Sequence, residues 1–391
     1  MAPKITVDEI LETLDPAARA EAMKPTFMEP LKLLLGGLNN TPDVSEEGRR
    51  LMVEMVRLRA IQRQEVEEAI VKNPDVLNTE ISPVVIIGMA RTGTTMLQRL
   101  LASAPNFVSP MTWEVMKPCP PGRPQEWKDS PRYQKAKETL ESWIPGIEDN
   151  EELQHKHEFK LETPEECMLI LQSYFHDLGL PMYPSMEEFK DFTFHPPEEH
   201  LRKAYEFYKR TLQCIFYQGL SDGKMPLLKA PVHTLYLDMY RKIFPTAKFI
   251  FPYRNVYEMI GSGCSIFSLT PSMMKIECPN EALKNYVMEY YKIGTSRVVQ
   301  TLKSMPKESY CTLSYAEMVK DPMAAMKDIY SHFGWDMTPE TERSMQSHMQ
   351  ENSQHKLGKH KYSLEQYGVT EQEVRDNLTD FLEYFGEENL L

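Results

Sequence analysis

The amino-acid sequence predicts an α/β fold in which a mostly parallel, P-loop-type sheet is flanked by helices. One observation is a series of short apolar segments, separated by helical patterns, of the kind that forms buried parallel strands. A second is a glycine-rich loop that joins the first of these segments to a helix. The predicted strands are Val84–Ile87, Pro226–Leu228, Lys248–Phe251 and Tyr310–Leu313.

The first 80 residues predict a helical N-terminal extension. In the clearest stretch, which ends at Asn73-Pro74, apolar residues fall near one face of a helix. They are Leu51, Met55, Leu58, Ile61, Val66 and Ile70. Residues 81–391 predict one α/β domain, with a helical and loop-rich insert at about 104–220 between the first two predicted strands. We therefore expect residues 1–80 to extend this domain rather than to form an independent one.

The composition of the 391 residues is that of an ordinary globular protein and excludes several classes of function. The formal net charge of −13 argues against a general affinity for nucleic acid or for acidic membrane surfaces. No apolar run approaches the length of a membrane-spanning helix, and the first 24 residues lack the apolar core of a signal peptide. The six cysteines have no C-x-x-C spacing, which favours reduced thiols over a zinc site. These features predict a cytoplasmic protein that binds anions through a local cluster of cations.

A loop at Gly88–Thr95 has the spacing of a phosphate-binding P-loop but lacks its lysine. The pattern G-x-x-x-x-G-K-[ST] is matched except that Thr94 occupies the lysine position. Without that lysine, the metal–triphosphate chemistry of an ordinary P-loop is not expected. Backbone N–H groups at the start of the following helix still suit one tetrahedral anion, and the alternative is a turn without a ligand. The residues beside this anion would be Arg91, Thr92, Gly93, Thr94 and Thr95.

The loop resembles the 5′-phosphosulfate loop of sulfotransferases that use 3′-phosphoadenosine 5′-phosphosulfate (PAPS). In the cytosolic branch of that family a lysine stands two residues before the glycine, and Arg91 fills that place here, as in other branches. The resemblance spans roughly residues 80–385 and points to the soluble bacterial-type and invertebrate branch. It implies metal-independent, in-line transfer of the sulfuryl group of PAPS to a hydroxyl, phenol or amine of a small or medium acceptor.

Further segments carry the resemblance and imply cofactor-binding residues. In FPYRNVYEMIGSGCSI, Arg254 ends a strand and Ser262 follows eight residues later, which is the family's spacing for residues that bind the 3′-phosphate. Tyr315 matches a tyrosine that lies near the adenine, and Lys359 is a candidate for closing over the 3′-phosphate. Lys229 matches a lysine at a strand end, and with Arg91 it is expected to neutralise the leaving phosphate.

The general base that removes the acceptor's proton has two candidates. Glu114 lies about where tyrosyl-protein and heparan sulfotransferases carry a glutamate base. His233 lies four residues after Lys229, whereas the cytosolic enzymes place their base two residues after the matching lysine, where Pro231 stands here. A helix-start acid and a core histidine are the structural alternatives. We expect substitution of Glu114 to lower turnover more than substitution of His233.

Two other functions are consistent with the loop alone. The first is a P-loop kinase-like, ATP-dependent phosphotransferase, against which the missing lysine counts. The second is a non-catalytic nucleotide-binding interaction module, against which the joint presence of Arg91, Lys229, Arg254 and Ser262 counts. The preferred function requires a small-molecule acceptor and no metal. The identity of that acceptor, homo-oligomer formation and the role of the N-terminal helices stay open at this point.

Overall fold

The computed structural model describes residues 4–42, 44–143, 160–179, 184–220, 223–273, 276–351 and 363–391. Within these residues, five parallel strands form one sheet in the order β2–β3–β1–β4–β5. They are β1 (Val84–Ile86), β2 (Phe107–Val108), β3 (Met225–Lys229), β4 (Lys248–Tyr253) and β5 (Tyr310–Ser314). Lys359, one of the predicted site residues, lies outside the described residues.

The sheet confirms the predicted fold class and the four predicted strands, whose ends differ from the prediction by one or two residues. Strand β2 lies inside the predicted helical insert, and its two residues are too few to show a period in the sequence. It extends the sheet beyond β3, where Phe107 pairs with Met225. Because the strands are parallel, the loops that follow β1, β3, β4 and β5 meet at one edge, where ligands bind in open α/β sheets.

Helices cover both faces of the sheet and form the described N-terminal region. Before β1 lie α1 (Val7–Glu12), α2 (Pro16–Ala22), α3 (Pro25–Asn40) and α4 (Glu46–Lys72). Between β1 and β3 lie α5 (Thr94–Ala102), α6 (Thr112–Met116), α7 (Pro131–Trp143), α8 (Met168–Gln172), α9 (Glu187–Phe194) and α10 (Glu198–Phe216). Then follow α11 (Leu237–Ile243), α12 (Val256–Phe267), α13 (Leu269–Met273), α14 (Asn280–Ser304), α15 (Tyr315–Lys320), α16 (Pro322–Phe333), α17 (Pro339–Glu351), α18 (Glu371–Asn377), α19 (Thr379–Phe385) and α20 (Glu387–Leu390). A search of the described residues finds no helix with the length and apolar character needed to span a membrane.

Strand β1 shows how the sheet divides the hydrophobic core into two layers. Val85 belongs to a large cluster that includes residues of α12 and α14. Its neighbours Val84 and Ile86 belong to a separate cluster with residues of α5 and α16. Because successive residues of a strand face opposite sides, this division shows that both faces of the sheet are buried.

The N-terminal helices pack against the insert that contains β2. Helix α4 contacts α10, and its Arg59 forms an ion pair with Asp177, with 2.6 Å between Nη2 and Oδ2. Both side chains are buried. Met52 and Met55 of α4 belong to the same cluster as residues of the sheet and the insert. Helix α4 therefore packs against the insert and shares its hydrophobic core.

Candidate active site

The loop between β1 and α5 turns sharply because two of its residues adopt left-handed backbone conformations. Arg91 has a φ of 70° and Gly93 a φ of 84°, which residues other than glycine rarely adopt. Thr92 donates a hydrogen bond from Oγ1 to the carbonyl oxygen of Met89 (2.7 Å), so its buried hydroxyl stabilises the turn. Helix α5 begins at Thr94, and its first backbone N–H groups lack partners within the helix. This is the geometry of an anion-binding helix N-terminus.

The tyrosine that follows β5 packs directly against the loop glycine. A Cβ atom at Gly93 would lie 2.5 Å from Cδ2 of Tyr315, so the contact requires glycine. The guanidinium carbon of Arg254, at the end of β4, lies 4.5 Å from the centroid of the same ring, within cation–π range. Arg254 also donates from Nη1 to the carbonyl oxygen of Arg91 (3.2 Å). The ends of β1, β4 and β5 thus bring four of the predicted site residues together.

Arg254 and Ser262, two of the predicted 3′-phosphate residues, both contact Arg91. Nε of Arg91 donates to Oγ of Ser262 (2.9 Å), which is buried in α12. Arg254 forms an ion pair with the exposed Glu258, with 2.7 Å between Nη2 and Oε2. An anion at this position would compete with Glu258 for the guanidinium. Since that carboxylate lies on the surface, its release to solvent costs little.

Lys229 ends β3 with its side chain buried between the loop and the insert. Its Nζ lies 2.9 Å from Oε1 of Glu166 and 3.3 Å from Oγ1 of Thr95. The sequence does not assign Glu166 to this site, because an acidic pair after Pro164 is more typical of a solvated helix start. Its position depends on the pairing of two segments 62 residues apart, in which the backbone N–H of Cys167 donates to the carbonyl oxygen of Lys229 (3.1 Å).

A single cavity of about 430 Å³ joins this polar cluster to an apolar chamber. At the polar end it is lined by Arg91, Thr94, Thr95, Glu166, Arg254 and Tyr315. The rest of the lining is mainly apolar, with Gln172 and Asp177 among its polar exceptions, and we call it the apolar end. Its apolar residues include Leu51, Met55, Met116, Leu140, Leu169 and Phe267, which come from α4, α6, α7, α8 and α12. In the part of the chain that the structure describes, no three histidine, cysteine, aspartate or glutamate side chains are grouped to hold a metal ion. The arrangement suits an anionic ligand at one end and an apolar one at the other.

Glu114 lies in α6, and its buried carboxylate is fully engaged outside the lining of the cavity. Oε1 accepts a hydrogen bond from Nε of Arg123 (2.9 Å), and Oε2 accepts one from the backbone N–H of Met111 (2.9 Å). The ion pair with Arg123 is completed through Nη2. In this structure the carboxylate caps α6 and neutralises the charge of Arg123.

His233 is fully buried in a cluster of tyrosines behind Lys229 and also lies outside the lining of the cavity. Its Nδ1 is 2.8 Å from the hydroxyl of Tyr205, and its Nε2 is 3.5 Å from Sγ of Cys167. Burial lowers the pKa of His233 to about 3, because the charged imidazolium would lose its hydration. The ring therefore stays neutral at physiological pH and supports the segment that follows β3.

Comparisons with known proteins agree with this geometry. Residues 83–340 match the model of the Sulfotransferase family. A curated relative, the omega-hydroxy-beta-dihydromenaquinone-9 sulfotransferase Stf3 of Mycobacterium bovis, is 21% identical over 306 residues, which cover 74% of this chain and 72% of the relative. The solved structure of sulfotransferase STF9 from Mycobacterium avium has a TM-score of 0.82 at 23% identity and covers 99% of this chain and 98% of its own. That of STF1 from Mycobacterium tuberculosis has a TM-score of 0.76 at 22% identity, covering 96% and 98%.

Proposed function

Because this chain belongs to the sulfotransferase family, we propose that it transfers the sulfuryl group of PAPS to a hydroxyl group at the end of an apolar small-molecule acceptor. The observation that carries the proposal is the cavity, whose polar end gathers Arg91, Thr95 and Arg254 and adjoins Lys229. The other end of the same cavity is apolar. A donor and an acceptor can therefore bind in one cavity.

The polar end offers a group for each charged part of the donor. The first N–H groups of α5, with Thr94 and Thr95, face the 5′ side, and Arg91 and Lys229 supply positive charge there. Arg254 and Ser262 are the proposed 3′-phosphate residues, and the Tyr315 ring is the proposed contact of the adenine. Thr92 and Gly93 shape the loop, and Lys359 keeps its predicted role over the 3′-phosphate.

These residues act by alignment and by charge. In sulfuryl transfer the leaving group is a phosphate of the nucleotide, which needs stabilisation of its developing charge more than covalent assistance. Lys229 is fixed at the end of β3 and contacts Thr95, so its ammonium group is held at the junction of the loop and the cavity. Arg91 is held by Ser262 on the other side. Both cations are therefore held beside the loop before the donor binds, which lowers the cost of bringing them to the leaving phosphate.

The apolar chamber supports an acceptor that is itself largely apolar. Leucine and methionine side chains dominate its walls, and methionine adapts to irregular shapes. The relative from Mycobacterium bovis is named for an omega-hydroxylated acceptor, which fits a hydroxyl presented at the mouth of such a chamber. Primary alcohols and phenols on an apolar body are accordingly the proposed substrate class.

The direct test is incubation with PAPS and a panel of long-chain alcohols, phenols, sugars and amino alcohols, followed by mass spectrometry for an added sulfuryl group. We expect turnover without magnesium, and we expect the apolar acceptors to be preferred. Binding of the product nucleotide, the 3′,5′-bisphosphate, should add about 2.7 kcal/mol to the free energy of unfolding at a hundred times its dissociation constant. Stabilisation by Mg-ATP but not by the bisphosphate would favour the kinase-like alternative.

A second measurement addresses the 3′-phosphate. Arg254→Ala should weaken binding of the 3′,5′-bisphosphate more than tenfold, because charge-assisted hydrogen bonds contribute about 1.5–3 kcal/mol each. Binding of the 5′-monophosphate, which lacks the 3′ group, should change much less. Arg343→Ala, at an exposed arginine of α17, is the matched control. An equal loss for both nucleotides would contradict the assignment of Arg254.

A further inference from the structure

Glu166 is a carboxylate on the wall of the cavity that the proposed binding of the donor leaves unused. We propose that Glu166 is the general base of the transfer, and that Lys229 holds it in place until the donor binds. This inference rests on the proposed function, because it concerns the proton of the acceptor hydroxyl in that reaction. It differs from the assignment to Glu114 or His233 that the sequence favoured.

The position of Glu166 meets the requirement of a general base. Such a group must reach the acceptor hydroxyl, and that hydroxyl must lie beside the donor's sulfur at the junction of the loop and the apolar chamber. Lys229 marks this junction, since its Nζ contacts both Thr95 of the loop and Oε1 of Glu166. Glu166 is 19% exposed, whereas Lys229 is 1% exposed. The carboxylate therefore borders the space that an acceptor would enter.

The backbone around Glu166 is fixed from both sides. Its own N–H donates to Oε1 of Glu165 (2.7 Å), and the N–H of Glu165 donates to the carbonyl oxygen of Pro110 (3.3 Å). The next residue, Cys167, donates to the carbonyl oxygen of Lys229. The base and the lysine are thus joined by the main chain as well as by their side chains. A side chain supported in this way loses little entropy when it takes a reactive geometry.

Among the residues that the structure describes, the other acidic side chains at or beside the cavity have partners, including Glu165, whose Oε1 accepts the N–H of Glu166. Asp177 accepts hydrogen bonds from Arg59 and from the backbone N–H of Gly179 (2.7 Å). Glu114 is bound to Arg123 outside the lining. Glu166, in contrast, is bound to a lysine that the donor's leaving phosphate would attract. This exchange of partners is what makes its carboxylate available when the donor is present.

The proton and electron balance of the step is complete without another reactant. The ammonium group of Lys229 moves its hydrogen bond from Glu166 to the leaving phosphate oxygen. The freed carboxylate of Glu166 accepts the proton of the acceptor hydroxyl as the hydroxyl oxygen bonds to sulfur. The sulfur–oxygen bond to the phosphate breaks, and its electron pair stays on the phosphate oxygen beside Lys229. Glu166 then returns the proton to solvent.

The acidity of the acceptor provides the decisive test. An alkanol needs a base, whereas a nitrophenol is acidic enough to be partly ionised at neutral pH and depends on a base far less. We expect Glu166→Gln to lower kcat for a long-chain alkanol by about 10²–10⁴-fold and to affect a nitrophenol far less. Glu166→Asp should recover part of the alkanol activity, and the affinity for the 3′,5′-bisphosphate should be unchanged. Glu162→Gln, at an exposed glutamate of the same insert, is the matched control.

A series of phenols gives a second readout that a purely structural role would not move. The loss of kcat/KM caused by Glu166→Gln should become smaller as the phenol becomes more acidic, because a more acidic hydroxyl depends less on a base. Equal losses for alkanol and nitrophenol, or equal losses across the phenols, would overturn the assignment. So would an acceptor-dependent loss in Glu114→Gln or His233→Gln instead. A wild type that binds the bisphosphate but sulfates no acceptor would overturn the proposed function itself, which is a distinguishable result.

Discussion

The two ends of the cavity are built in opposite ways. At the polar end, the ends of β1, β3, β4 and β5 converge, and the side chains there are tied to each other or to the backbone by hydrogen bonds. At the apolar end, helices from the N-terminal region and the insert contribute leucine and methionine side chains. Hydrogen bonds fix geometry, while apolar packing tolerates changes of shape. The transfer reaction and the choice of acceptor can therefore vary separately.

Among the variants that distinguish the two ends of the cavity, Lys229→Met is expected to lower activity the most. Lys229→Met removes the cation beside the leaving phosphate, and loss of one such stabilising group typically costs 10²–10³-fold in kcat. The loss should be similar for every acceptor, because it arises at the polar end of the cavity, which is the proposed donor end. Lys242→Met, at a surface lysine paired with Glu198, is the control. A loss confined to apolar acceptors would contradict the separation of the two ends.

A smaller but still severe effect is expected at the loop glycine. Gly93→Ala places a Cβ atom against Tyr315 in a left-handed backbone conformation, which costs roughly 1–2 kcal/mol before any steric contact is counted. We expect a lower free energy of unfolding in urea and weaker binding of the bisphosphate. Gly36→Ala in α3, where a Cβ meets open space, should be neutral or stabilising. Equal stability of the two variants would show that the loop tolerates a side chain.

The free energy of unfolding should also depend on pH, because His233 is buried behind Lys229. The pKa of His233 is about 3 when folded, against about 6.5 in an unfolded chain, so the unfolded state binds more protons below pH 6.5. Its contribution to stability is present above pH 6.5 and is lost as the pH falls toward 3, by about 2 kcal/mol at pH 5. Urea unfolding of the wild type and His233→Gln at pH 7 and pH 5 measures this term. An unchanged pH dependence in the variant would rule it out.

The smallest effect is expected at the apolar end. Met55→Ala removes part of the wall that α4 contributes, and it should lower kcat/KM for a long-chain acceptor by about tenfold. Binding of the bisphosphate should not change. Val53→Ala, two residues away on the same helix and absent from the lining of the cavity, is the matched control. Weaker binding of the donor product in Met55→Ala would mean that the two ends are coupled.

The donor end was predictable because its signals are local. The two glycines of the loop and the apolar run before it lie within a dozen residues, and their spacing alone requires a strand, a turn and a helix. The spacing of Arg254 and Ser262 likewise follows one strand and the helix after it. Their roles toward the donor remain predictions, but the structure does bring them beside Arg91.

The side chains around the proposed reaction centre could not be predicted from the sequence, because their positions depend on contacts between distant segments. Glu166 reaches Lys229 only through the pairing of the insert with the end of β3. The sequence also could not show that Arg123 would neutralise Glu114, or that tyrosines would enclose His233. Each of these outcomes is decided by tertiary packing, which no local period or motif encodes.

Helix α4 lies outside residues 83–340, the part that matches the family, yet it supplies Leu51 and Met55 to the cavity. Under the proposed function, the choice of acceptor therefore depends partly on a segment outside the residues that match the family model. Natural divergence can retune such a segment by single substitutions while the sulfation chemistry stays intact. For the same reason, a library randomised on the cavity-facing side of α4 is a practical starting point for redirecting the enzyme to new alcohols.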